Sequence, residues 1–191
     1  ATRGWGDAVT AALVQDTEEA RRVYIDNYGE DLMFANSGGP IYYYDLSVNT
    51  SSGVPDTGAT NVAKILSDAS FTTNSDTPAR VDSFLISKKD GHCVALGCTD
   101  IGKDADDPIN STLVRWSDQN NPFDWTPTPI NTSGGQVLRV GSKIVGGVST
   151  KDEVVIFTDS GVYSMRFIGP PNVFSFTLIT EGVEIISAAS A

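Results

Sequence analysis

Lys143–Pro171, KIVGGVSTKDEVVIFTDSGVYSMRFIGPP, is the stretch that decides the fold class. The runs KIVGGVST, EVVIFTD and GVYSMRFI are rich in β-branched and aromatic residues and too short for ordinary helices. Turn residues separate them at Thr150–Glu153 and at Asp159–Gly161. NVFSFTLITEGVEIISAA then adds one or two further strands. A strand–turn–strand meander of this kind predicts an antiparallel sheet.

The same texture recurs upstream. VDSFLISKKDGHCVALGC reads as a hairpin turning at Lys89–His92, with Asp90-Gly91 as the tight turn, and TLVRWSDQ continues it. Further back, RRVYIDNYG, DLMFANSGG and PIYYYDLS are three short strands divided by NYGED and SGGP. Gly38 and Gly39 suit a hairpin, and Pro40 suits the first residue of a strand. The three blocks start near Arg22, Val81 and Lys143, about 60 residues apart. Recurrent antiparallel sheets predict an all-β chain of β-propeller-like blades joined by long loops, although stacked hairpins in a sandwich give a similar pattern. Three blades fall short of the ~4–8 that close a ring, so the expectation is a partial propeller.

Residues 1–20 read as a separate lead-in, irregular, helical or extended, and residues 21–191 as the propeller-like domain. DAVTAALVQDTEEARR is the only helix-compatible stretch. A chain that starts at Ala1 and ends in EIISAASA reads as a piece of a longer polypeptide. Residues 47–80 form a long polar connection in which VAKIL makes a brief ordered turn. Loops 47–80 and 118–135, long, polar and aromatic-tipped, are the segments expected to meet neighbours.

Charge narrows the function classes. The 191 residues carry 13 Lys plus Arg against 24 Asp plus Glu, a net charge of -11. Such a chain repels nucleic-acid phosphates and anionic membranes. No apolar run approaches the length of a membrane span.

No catalytic constellation is legible, and no cofactor or metal site is expected. His92 is the single histidine, so neither a Ser/His/Asp nor a Cys/His set can be assembled around a second one. Cys93 and Cys98 lie five apart in GHCVALGC; strict strand alternation would turn them to opposite faces and leave them unpaired. Adjacent acids such as Glu30/Asp31 and Asp106/Asp107 sit in Gly- or Pro-flanked turns. Asp100, Asp104, Asp106 and Asp107 offer loop oxygens of the kind that hold Ca2+, but without the spacing and terminal Glu of an EF-hand; a solvated loop is the simpler reading. Asn49, Asn110 and Asn131 head glycosylation triplets of the sort that polar loops produce by chance. FTDSGVYS resembles part of the Asp-box turn of sialidase-type propellers, through Thr158, Asp159 and Gly161, with no closing Trp; its expected role is a hairpin in which Asp159 bonds its own turn amides. Tyr42, Tyr43 and Tyr44 put a ring on each face of one strand, as between a core and a partner surface. Trp116 and Trp125 pack a loop over the sheet or, on the alternative reading, stack on carbohydrate.

Four segments together, YIDNYGEDLMFANSGGPIYYYD, HCVALGC, RWSDQNNPFDWTPTPINTSGG and GSKIVGGVSTKDEVVIFTDSGVYSMRFIGPP, resemble tail proteins of bacteriophages. The relatives are the tail nozzle, or tail tubular protein B, family of short-tailed phages. The likeness spans roughly residues 21–190, and RWSDQ…DWTPT…NT is its most specific block. Asn120-Asn121 stands where that block more commonly reads Glu-Asn, and Tyr24 and Tyr28 stand where Trp is frequent. The resemblance implies a virion structural component in the tail, not an enzyme. It implies a hexameric ring around the DNA exit channel, contacting an adaptor and fibres, with DNA only a transient, non-specific cargo. An acid-biased wall would let that cargo slide. The alternative is a carbohydrate-binding propeller for host-surface recognition.

Overall fold

The computed structural model describes residues 22–46, 63–68, 70–71, 76–183 and 185. The lead-in of residues 1–20 and residues 47–62 of the 47–80 connection, Asn49 among them, lie outside these residues. Twelve strands and no helix are present among them, in three antiparallel four-stranded sheets. The first sheet is β1 (Val23–Tyr28), β2 (Asp31–Asn36), β3 (Ile41–Tyr44) and β4 (Lys64–Ile65). The second is β5 (Val81–Ser87), β6 (His92–Cys98), β7 (Asn110–Trp116) and β8 (Gly134–Val137). The third is β9 (Ile144–Ser149), β10 (Val154–Thr158), β11 (Gly161–Phe167) and β12 (Phe174–Glu181). Within each sheet, neighbours in space are neighbours in sequence.

The expected block starts are met at Val23, Val81 and Ile144. VAKIL is more than a turn: Lys64 and Ile65 pair with Tyr43 and Tyr42, and Leu66 is buried behind them. β8, inside a stretch read as loop, pairs with β7 from Leu113↔Val137 to Trp116↔Gly134.

The second sheet is covered on both faces. Phe84, Ile86, Cys93 and Ala95 join Met33, Ile41 and Tyr43 of the first sheet in one core. Leu85, Val94, Leu96 and Val114 join Val154, Ile156, Tyr163 and Met165 of the third sheet in another. Accordingly β6 is buried at every position, where a half-covered strand would alternate. First strands lie near one another, β1 and β2 against β5, and β9 against β5. A short bridge stitches the first two sheets: Gly38 N–H donates to Val81 O at 2.7 Å and Val81 N–H to Gly39 O at 2.9 Å. Asp26 extends it, accepting from Ile86 N–H at 3.0 Å, and Tyr28 OH donates to Gly91 O at 3.0 Å.

The cysteine expectation is half right. Both thiols are buried and free. They do not face apart, however; both belong to the core between the first and second sheets. The register against β7 shifts between Leu96 and Cys98, and Gly97 takes φ +61, so the alternation is interrupted there. Separation along the strand keeps them apart: five residues at ~3.4 Å is about 17 Å, far beyond disulfide reach. Burial pushes both thiols up, Cys98 to about 12, so neither is a reactive thiolate.

Candidate functional site

The resemblance rests most heavily on Arg115–Gly135, and the structure shows what that block does. Asp118 Oδ1 accepts from Thr132 N–H and Thr132 Oγ1, each at 2.7 Å, while Asp118 N–H donates to Asp124 O at 2.7 Å. Asn131 Nδ2 donates to Asp124 Oδ2 at 3.1 Å and to Thr126 O at 2.7 Å; its Oδ1 accepts from Thr128 N–H at 2.9 Å. That engaged amide is an internal strut. Desolvation pushes the Asp118 carboxyl up, but the bonds from Thr132 and Gln119 outweigh it and hold the group below the ordinary range.

Both tryptophans point inward. Trp125 is 0% exposed and donates Nε1–H to Pro122 O at 2.8 Å; Trp116 is 7% exposed and donates to Thr132 O at 2.8 Å. Phe123 stacks on Phe71 at 4.7 Å and meets Tyr43 edge-on at 4.9 Å. The loop therefore wedges its aromatic residues between the first and second sheets; its exposed tip is the aliphatic Ile130. This corrects the expectation of an aromatic-tipped contact loop, and it leaves Trp125 enclosed while Trp116 keeps a 7% exposed edge. Gly134 is required here, because a Cβ would lie 2.8 Å from the Trp116 ring. Asn120 adopts φ +57, a left-handed conformation that Asn tolerates better than Glu, which gives the Asn120-Asn121 departure a backbone reason.

Arg115 anchors the wedge from below. It is 1% exposed; Nη1 donates to Thr99 O at 3.2 Å, and Nη2 to the carbonyls of Asp76 and of Trp125, the latter at 3.4 Å. The Asp76 carboxylate stands 4.0 Å away and balances the charge. His92 is buried between Phe167 and Phe174, with Nε2 3.2 Å from Thr132 Oγ1. Burial depresses its pKa to about 4 against a smaller opposing pull from Asp90 and Asp118, so the ring is neutral.

The other sequence candidates resolve separately. Among the described residues no group of three or more His, Cys, Asp or Glu side chains could hold a metal ion. In the acidic run, Asp107 Oδ2 accepts from Asp104 N–H at 3.0 Å and Asp107 Oδ1 pairs with Lys103 at 3.7 Å, as a self-bonded turn does. Asp159 serves its own turn, as expected, through its own amide and Ser160 Oγ at 3.5 Å, but its stronger bonds go elsewhere. It reaches the segment before β9, accepting from Ser142 N–H at 2.9 Å and Ser142 Oγ at 2.5 Å, while Thr158 Oγ1 spans the turn to Gly161 O at 3.0 Å. No helix among the described residues is long and apolar enough to cross a membrane.

A groove of about 780 Å3 runs between β7–β8 and the β11–β12 connection, lined by Trp116, Gly134, Val173 and Phe174 among others. Its titratable lining is Asp100 and Arg115, and Arg115 is already committed to the carbonyls of Thr99, Asp76 and Trp125.

The outer faces of the two end sheets are the remaining large features. On the first sheet, register places Ile25, Phe34, Tyr42 and Ile65 in one row across all four strands. Val23–Asn36 flanks that row on one side and Asn27–Leu32–Tyr44 on the other. Among the described residues none in these rows is charged, in a chain of net charge -11. Val23 and Ile25 are 57% and 64% exposed. Tyr42 stacks on Phe34 at 5.1 Å on this face while Tyr43 is buried on the other, as the triple tyrosine predicts. On the third sheet the outer rows are Val148–Val155–Ser164–Thr177 and Phe157–Val162–Thr180. Glu153 bonds Ser164 and Arg166 at the rim of that face, the latter at 2.9 Å.

No protein-family model and no curated protein sequence matches the chain.

Proposed function

We propose that this chain is a structural, propeller-type module of a phage tail, part of a nozzle-like ring around the DNA exit channel, and not an enzyme. The observation that carries the reading is the Arg115–Gly135 block, whose resemblance to tail nozzle proteins is the most specific in the chain. Its characteristic residues Arg115, Trp116, Asp118, Trp125 and Thr132 serve the architecture, which suits a family whose common residues are structural. Three sequence-consecutive four-stranded meanders with first strands side by side support the propeller-like arrangement. The net charge of -11 supports a wall over which DNA slides without counterion-release binding. In this reading the partners are other copies, an adaptor and fibres, and the location is the virion tail.

Cryo-electron microscopy of the parent particle tests the reading. The expected result is a ring of copies, hexameric by the family likeness, at the tail end with an acid-biased lumen. A chain outside the particle, or a channel wall dominated by Lys and Arg, overturns it.

A further inference from the structure

The groove between β7–β8 and the β11–β12 connection has the volume of a small-molecule site, about 780 Å3. Its walls are drawn from residues between Asp100 and Phe176, away from both ends of the chain. Among the described residues three buried side-chain polar atoms lack a hydrogen-bond partner. Two of them, Arg115 Nε and Ser133 Oγ, belong to residues that line this groove. Arg115 is 1% exposed and Ser133 7%, so neither group is satisfied by bulk water. We propose that the groove binds an uncharged polyhydroxyl ligand, a small saccharide, whose oxygens pair with these two groups.

The unmet groups define what is missing. Nη1 and Nη2 of Arg115 already serve three carbonyls, and only the Nε–H lacks an acceptor. A buried donor in that state costs about 1–3 kcal/mol, which a ligand oxygen would recover. Ser133 Oγ can donate or accept. The main chain of β8 adds to the set. Leu138 N–H bonds β7 through Thr112 O at 2.9 Å, so by strand alternation Gly135 turns its N–H and C=O away from β7, with no side chain to cover them. Exposed Asp100 supplies an acceptor at the mouth, and the exposed Gln136 amide supplies both kinds of group. Phe174 and Phe176 give the apolar wall that the C–H face of a sugar ring requires.

Charge then selects among ligands that carry oxygens. The Asp76 carboxylate, 4.0 Å from Arg115 Nη2, already balances the guanidinium, and Asp100 stands at the groove in a chain of net charge -11. An anion would therefore meet two carboxylates against one cation, and a cation would meet the guanidinium. A purely apolar ligand would leave the Nε–H and the hydroxyl unpaired. Alternating hydroxyls and C–H groups without charge fit all of these constraints. The proposal does not rest on the tail reading above.

Nuclear magnetic resonance of the isotope-labelled 191-residue chain tests it. The probes are the methyl glycosides of glucose, galactose, mannose and N-acetylglucosamine, with inorganic phosphate and tetramethylammonium chloride in parallel. The expected result is binding of at least one glycoside with a Kd on the order of 1 mM, shifting the Arg115 Nε–H and Gly135 amide signals. Ser133→Ala removes only an unpaired hydroxyl, so folding should survive, as circular dichroism and a thermal melt will show. It should weaken binding roughly tenfold. Gln136→Trp, at an exposed position on β8, should block the mouth and abolish binding; Ile130→Ser, on the loop tip outside the groove, should leave it unchanged. No shift with any glycoside at ~100 mM, a hundred times the expected Kd, overturns the proposal. So does binding that Ser133→Ala leaves intact, or a larger Nε–H shift with phosphate than with any glycoside. Glycoside binding by a chain that is absent from the virion overturns the tail reading and leaves this site standing; a tail ring whose chain binds no glycoside does the reverse.

Discussion

Two connections of similar polarity leave the second sheet, and they behave as opposites. The Thr99–Pro108 loop is rich in Asp, and the Ser117–Ser133 loop in Asp, Asn, Thr and Pro. The first stays at the surface, with every residue from Asp100 to Asp106 exposed. The second folds inward around Trp125, which is 0% exposed, and satisfies its polar groups with its own Asp118, Asn131 and Thr132. Polarity alone does not tell a surface loop from a structural one. The difference is an aromatic payload large enough to repay the ordering of the loop.

Removing the payload should have the largest effect. Trp125→Ala is expected to cost about 3–5 kcal/mol, read as a fall in the urea midpoint, because it empties the space between two sheets. Arg115→Met should cost about 3 kcal/mol: the alkyl stem is kept, but the carbonyls of Thr99, Asp76 and Trp125 lose their donor and Asp76 loses its counter-charge. A loss under about 1 kcal/mol for either would mean that the wedge is not what holds these sheets together.

Acid should act on the inward loop through His92. Its folded pKa, about 4, lies below the ordinary 6.5, so between those values the unfolded chain binds the extra proton. Stability is therefore full above pH 6.5 and falls as pH drops toward 4, by about 3 kcal/mol at most. His92→Gln should flatten the urea midpoint between pH 6.5 and 5, a window above the carboxylate range; an unchanged slope would assign it to other groups. Asp118→Ala should cost about 1–2 kcal/mol through the two lost Thr132 bonds. Asp106→Asn in the outward loop should leave the midpoint unchanged; a drop matching that of Asp118→Ala would erase the contrast between the loops.

Much of the fold was readable because β-branched runs and turn residues are local signals. β1 to β3, β5, β6 and β9 to β12 all fall within runs that the alternation and the Gly/Asp turns delimit, and β7 starts two residues before its run, at Asn110. β8 was not readable: Gly134 and Gly135 have no β propensity of their own, and the strand exists because β7 supplies a ladder and Trp116 leaves room only for glycine. The common side of Cys93 and Cys98 was hidden because one glycine of positive φ resets the alternation. Of the site, the block that matters was visible as a motif. The direction in which its rings point was not, since burial of Trp125 depends on Tyr43 and Phe71, far away in sequence.

The complete burial of β6 has a consequence for how the molecule is made. Each flanking sheet finds its packing surface on the second sheet, so neither has a template until residues 81–116 have left the ribosome and paired. The first sheet emerges earlier and must wait, one apolar face lacking its partner, while about 60 further residues are synthesised at ~5–20 per second. That delay of seconds is the interval in which a holdase has something to grip, and the amides of β6, once closed from both sides, should be the last in the chain to exchange with deuterium.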